Sequence, residues 1–370
     1  MTSIDWSPRR NLVRLASFRT RAAHEREPGQ ILILFALLLT SLLGLLGLAM
    51  DGGLYLQAKR GVQASADVAA LAGARQITKG VAAGPDVLKF VTENKVGAFT
   101  PTLFDCEYIN DGDGVYSGCD AAPTESGVSG VRVKTRVLVP TVFMRLFNFN
   151  DDMVAKGYAK ARVQVSTSVG ADSPFIICGT GAWDVSADPT TKNTGTGSLV
   201  NLLTSYDFDD ASKTKIDPSM AGKTFRVHDN QLDKKGVGAG CNTQGNRFKG
   251  LADQPANRNK TVPTWFTYDT GTKAGPTESK VSGIEGCAAG IGGDAAQFNC
   301  IMLIPIAVNN PAESGNSKEV RVVGYAAFHV VTVDGNSHNA TLINNFIVSG
   351  PGLNGWTPSS GGVATIRLNW

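Results

Sequence analysis

Few of the side chains in these 370 residues that could carry chemistry are spaced for it. An activated serine would sit in a G-x-S-x-G turn, a phosphate cradle in a P-loop and a catalytic zinc on H-E-x-x-H, and none of the three motifs occurs. Gly236-Val237-Gly238-Ala239-Gly240 has the glycines of a dinucleotide loop without its strand, spacing and helix, and reads as a surface loop. His329 in an apolar strand and His338 beyond a hairpin could face each other across two strands and hold a metal. The simpler reading makes these two and His228 hydrogen-bonded structural residues. Asn110-Asp111-Gly112-Asp113-Gly114 crowds oxygen ligands that could wrap Ca²⁺, but it lacks the regular carboxylate spacing and closing Glu of an EF-hand loop, so a closed turn is expected. Trp183, Trp265, Trp356 and Trp370 would serve a glycan if exposed and the core if buried. No catalytic residue, metal ligand or cofactor is assigned.

All six cysteines follow Met50, none in a C-x-x-C or Cys/His ligand spacing, which points to disulfides in an oxidising compartment. Two equally spaced pairs, Cys106/Cys119 and Cys287/Cys300, suggest local bridges and leave Cys178 with Cys241. Charged residues are 18% of the chain, below the roughly 25% of ordinary domains. The net charge of +3 is already present in residues 1–28, where Arg9, Arg10, Arg14, Arg19, Arg21 and Arg26 outnumber Asp5, Glu25 and Glu27. The remainder is balanced, which argues against a nucleic-acid-binding surface.

The elements that would position these residues begin with a membrane span. Ile31 to Met50 is a run of twenty residues without a charge, long enough as a helix to cross about 30 Å of hydrocarbon. It exceeds a signal-peptide core and ends in Leu48-Ala49-Met50-Asp51-Gly52-Gly53, which offers no A-x-A-like cleavage site, so an uncleaved anchor is expected. Ile31, Leu34, Phe35, Leu38, Leu42, Leu45 and Leu48 are its lipid-facing candidates. The arginines before the span, against Lys59 and Arg60 as the nearest basic residues after it, put the amino terminus in the cytoplasm and the bulk of the chain outside. From Leu54 to Ile77 an Ala-rich, Pro-free helix continues, with an apolar stripe of Tyr55, Val62, Ala66, Ala69, Gly73 and Ile77. Its small residues would admit either a partner helix or the chain's own domain.

Gly29-Gln30, the Leu-rich span, Asp51-Gly52-Gly53 and then Gln63-Ala64-Ser65-Ala66-Asp67-Val68-Ala69-Ala70-Leu71-Ala72-Gly73-Ala74 together resemble the amino-terminal module of bacterial TadE/TadG-like pilus-assembly proteins, over about residues 27 to 78. The resemblance implies a membrane-anchored accessory component of a tight-adherence (Flp/Tad) pilus, with the membrane and other pilus-assembly proteins as partners through the small-residue helix. Prepilins of the type IV kind carry Glu at the fifth mature position; cleavage after Gly29 would put Leu34 there, so an unprocessed, TadG-like role is expected over that of a pseudopilin. Longer TadG-like relatives carry a von Willebrand A domain with a D-x-S-x-S metal site. The nearest string, Asp210-Ala211-Ser212-Lys213-Thr214, follows Asp207-Phe208-Asp209 rather than a buried parallel strand, and no such domain is expected.

Beyond the helix, Gly84-Pro85-Asp86 starts a short helix that Gly97 is placed to end. Val131, Val133, Thr135, Val137 and Val139 alternate with Arg132, Lys134 and Arg136, a half-buried strand that Pro140 stops. Val142, Phe143, Leu146 and Phe147 follow at helical spacing; Ala155, Gly157, Ala159, Ala161, Val163 and Val165 then form a second alternating strand. Further on, Ile301–Val308 reads as a buried strand, and Val320–Val333 as a long one with a bulge at Gly324, joined through Asp334-Gly335 to Ala340–Val348; Thr180 to Lys280 reads as surface connections. The expected fold is α+β: a cytoplasmic leader (1–28), a transmembrane helix (29–50), an extracytoplasmic Ala-rich, pilin-like helix (51–79), a small α+β unit (80–170) and a β-rich, sandwich-like domain (171–370). The favoured function is structural, in pilus assembly or adhesion. A tethered hydrolase and a carbohydrate-binding module are the alternatives, to be separated by turnover of a wall polymer or by Trp-dependent glycan binding.

Overall fold

From Gln30 to Thr78 no proline interrupts the backbone, and in the computed structural model these 49 residues are one helix, α1. The structure describes residues 30–95, 97–147, 152–167, 173–191, 197–229, 260–267, 279, 281, 287, 300–308, 319–334, 337–348, 351–356 and 362–369. α1 stops where the Thr78 hydroxyl donates to the Arg75 carbonyl and Gly80, at φ 69°, turns the chain away. A second helix, α2 (Gly84–Glu93), has Pro85 in its first turn. It ends earlier than Gly97, because the Asn94 backbone N–H and side-chain amide both donate to the Phe90 carbonyl and close the last turn.

The alternating segments form strands with the expected inward faces. β1 (Thr102–Ile109), β2 (Val115–Gly118), β3 (Gly130–Val139) and β4 (Met153–Ser166) are antiparallel neighbours in the order β4-β3-β1-β2. Val131, Val133, Val137 and Val139 of β3 and Ala155, Ala159 and Ala161 of β4 are buried, whereas Arg136, Lys156 and Tyr158 face outward. The core beneath joins Ala66, Ala69, Ala70, Ala74 and Ile77 of α1 to Val87 and Val91 of α2 and to these strands.

The sheet also draws on the end of the sequence. Strand Val363–Asn369 pairs antiparallel with β4, Phe346–Ile347 pairs parallel with it, and Gly352–Leu353 pairs with β4. This crosses the boundary expected at residue 170: the first sheet is completed by strands about two hundred residues downstream, and Trp356 and Ala364 enter its core. A second, eight-stranded sheet is built on Glu319–Asp334, flanked by Ile301–Val308 and Ser337–Ile343. The extra residue falls at Val323, beside Gly324, opposite Ile306 and Ala307. Both faces are apolar, Phe225, Ile304, Ile306 and Phe328 on one core and Val320, Val322, Tyr325 and Phe266 on another. The stretch expected to be surface connection supplies Ala182–Asp184, Ser198–Val200, Thr224–Asp229 and Thr264–Thr267 to this sheet. The fold is α+β, one long amino-terminal helix and one short helix followed by mostly β structure with mixed sheets. Two compact units result: Met1–Gly52 with Val142–Asn150, and Gly53–Thr141 with Asp151–Trp370.

Candidate membrane anchor

Ile31, Leu34, Phe35, Leu38, Leu42, Leu45 and Leu48 are all exposed, from 52% at Leu42 to 74% at Ile31. A helix apolar on every side and bare on every side has no protein core to enter, and a bilayer is the environment that removes this cost. Among the described residues this is the one helix long and apolar enough to cross a membrane, as a single-pass anchor requires. Thr40 and Ser41 return their hydroxyls to the carbonyls of Ala36 and Leu37, so neither side-chain hydroxyl on the span lacks an acceptor.

Gly47 breaks the pattern by being buried, because Phe143 lies against it: a Cβ added to Gly47 would stand 2.6 Å from the Phe143 Cβ. One turn further along α1, Asp51 is 2% exposed. Its carboxylate accepts backbone N–H bonds from Val142 (3.0 Å), Phe143 (3.1 and 3.3 Å) and Met144 (2.9 Å). These donors open the short 3₁₀ turn Met144–Phe147, whose first N–H groups have no partner within the turn. A buried carboxylate and three orphan donors thus satisfy one another. The sequence marks Asp51 only as the residue that ends the apolar run and as part of the family resemblance. An acid directly after twenty apolar residues signals a need for donors, but nothing local says that they lie more than ninety residues away.

On the far half of α1 the stripe separates its two readings. Val62, Ala66, Ala69, Gly73 and Ile77 are buried, all on the chain's own sheet and α2, while Tyr55 is half-buried beside Val137 and Val139. Of the two readings left open, the chain's own domain is the one that occupies this face: the folded chain already covers it. Small residues are required there because backbones touch. A Cβ on Gly157 of β4 would lie 2.4 Å from the Val62 carbonyl oxygen, and one on Gly73 would lie 2.8 Å from Val87. Polar residues of the same segment then finish the fit. The Gln63 amide donates to the Tyr158 carbonyl (2.6 Å) and accepts from the Tyr158 N–H (3.2 Å), as a neighbouring strand would, and Lys59 donates to the Lys156 carbonyl. Strand Val363–Asn369 covers β4 only as far as Lys160, so these side chains take over where it ends. Gln63 also donates to Asp67 (2.9 Å); burial pushes the Asp67 carboxyl up, and that hydrogen bond opposes the shift. The Ser65 hydroxyl reaches the Val91 carbonyl of α2.

The other candidates are placed apart from this helix. Strand register sets His338 opposite Val333 and His228, and His329 opposite Ile301 and Thr341, so the two histidines that could have faced each other across two strands do not pair. His338 is buried against Phe175. Among the described residues no group of three or more His, Cys, Asp and Glu is placed for a metal ion. Most of the Asn110–Gly114 side-chain oxygens are engaged within the chain: Asn110 Oδ1 accepts from Gly112 and Gly114, Asp111 Oδ2 from Gly355, and Asp113 pairs with Lys160 (3.1 Å) and Arg162 (2.6 Å), while Asp111 Oδ1 is buried without a partner. Disulfides join Cys106 to Cys119 and Cys287 to Cys300, with Cα atoms 5.5 and 4.5 Å apart. Cys178 is also disulfide-bonded, while Cys241 lies outside the described residues. Trp356 is buried in the first core, and Trp183 and Trp265 are half-buried, the latter under Arg321 at 5.4 Å. Asp210 caps a 3₁₀ turn by accepting from Ser212. The 236–240 glycine run, Trp370 and the leader lie outside the described residues.

Residues 29–76 match the model of the family described as putative Flp pilus-assembly TadE/G-like. No curated protein and no solved structure matches the chain. The matched stretch holds the span, Asp51, Gln63 and all of the stripe except Ile77.

Proposed function

We propose that the chain is a membrane-anchored, non-enzymatic structural component of a Flp/Tad-type pilus-assembly or adhesion system, TadG-like and unprocessed. In this reading the amino terminus is cytoplasmic and the β-rich head extracytoplasmic. One observation carries it: the helix matched by the family model is bare and apolar over residues 31–50 and packed on the chain's own sheet over residues 58–77. A helix of that kind holds a folded head at a membrane. The arginine excess before the span supports the orientation, and two disulfides on the Met50 side of it support an oxidising compartment for the head. Its partners are the bilayer and other pilus-assembly proteins. The latter would meet faces of the module other than the stripe, such as exposed Leu56 and Val68 on α1 or Leu88 on α2.

The direct test is gene deletion in the native host, followed by counting pili and measuring surface attachment. Loss of either, restored by the full chain but not by one lacking residues 29–50, is expected. Unchanged piliation and attachment would overturn the assembly role. Protease added to intact cells, with the outer membrane permeabilised if there is one, should digest the head; protection would reverse the orientation.

A further inference from the structure

We propose that the Val142–Phe147 turn is itself seated in the lipid interface, a second contact with the bilayer clamped to the span by Asp51. This rests on the reading of residues 31–50 as a membrane anchor. Phe143 packs on Gly47, which lies three residues inside the Met50 end of the span, about 4.5 Å along the axis at 1.5 Å per residue. Whatever surrounds the helix at that level therefore surrounds the turn. Its sequence, Val-Phe-Met-Arg-Leu-Phe, is apolar at five of six positions, and Val142 is 58% exposed while Phe143 and Met144 are half-buried, so the turn offers hydrocarbon at its leading residue. Arg145, the exception, is exposed.

The backbone supplies the independent argument. Non-helical peptide groups are excluded from lipid because their N–H and C=O groups find no water. A turn entering the interface must bring acceptors for its leading donors, and Asp51 meets Val142, Phe143 and Met144 with one carboxylate. The same donors account for an aspartate buried beside an apolar span.

The test uses the full chain in phosphatidylethanolamine–phosphatidylglycerol vesicles, with p-benzoylphenylalanine placed singly at Leu38 in the span, at Val142, or at Leu199, an exposed leucine of the head. After irradiation, a mass gain of one phospholipid is expected at Leu38 and Val142 and not at Leu199. Adducts at Leu38 but none at Val142, a cross-linked dimer through Val142, or equal lipid labelling at Val142 and Leu199 would each overturn the second contact and leave the anchor intact. Absence of lipid adduct at Leu38 would overturn the anchor and this proposal with it.

Discussion

Asp51 shows how much a single side chain can hold. Leaving a buried donor without a partner costs about 1–3 kcal/mol, and Asp51→Ala would leave three in one turn. We expect that variant in detergent micelles to be cut by trypsin after Arg145 far faster than wild type, with Asp51→Asn between the two; equal cleavage would mean that the carboxylate restrains nothing. Asp113 gives a residue-scale pH dependence. Burial raises its carboxyl, but Lys160 and Arg162 outweigh that, and the net pKa is lowered. A carboxyl held lower in the folded chain than in the unfolded one adds stability above the unfolded value, about 4, and loses it as pH falls through the folded value. The wild type should therefore lose more thermal stability than Asp113→Asn as pH drops below about 4. The difference should be small, because the side chain is 47% exposed, and parallel melting curves down to acid pH would refute it.

The helix and its sheet are set by contacts between backbones. Gly157→Ala drives a Cβ into the Val62 carbonyl, where no flexible side-chain end can yield, and should destabilise by about 1–3 kcal/mol. Gly53→Ala, also in the family resemblance, meets nothing within 4 Å inside α1 and should stabilise by about 0.5–1 kcal/mol. Thermal melts of the two variants giving shifts of the same sign would contradict this packing. How much of these elements the sequence discloses follows from the range of the forces involved. Charge-free length, helical period and strand alternation are local, and α1, β3 and β4 were legible from Ile31–Met50, Val131–Val139 and Ala155–Val165. The Asp51 clamp, the Gln63 mimicry of a strand and the turn of the stripe toward the chain's own sheet depend on partners 26 to 97 residues away, and no local period encodes a partner. Asn94 ended α2 ahead of Gly97 because a side-chain cap acts before a glycine is reached.

The whole molecule is fixed by links that bypass sequence order. Removing the Cys106–Cys119 bridge by paired serine substitution should cost on the order of 3 kcal/mol for a loop of its size. Non-reducing peptide maps should recover that pair and Cys287–Cys300; free thiols at these positions in the native protein would contradict it. The other link is the strand Val363–Asn369 beside β4. During synthesis the first sheet must wait, β4 lacking a neighbour, until residues near 363 have been made. A polypeptide aborted before that point carries a naked β4 margin toward other nascent molecules. Chaperones and proteases would meet such fragments as misfolded cargo, so surveillance of completed synthesis is wired into the topology of the first sheet.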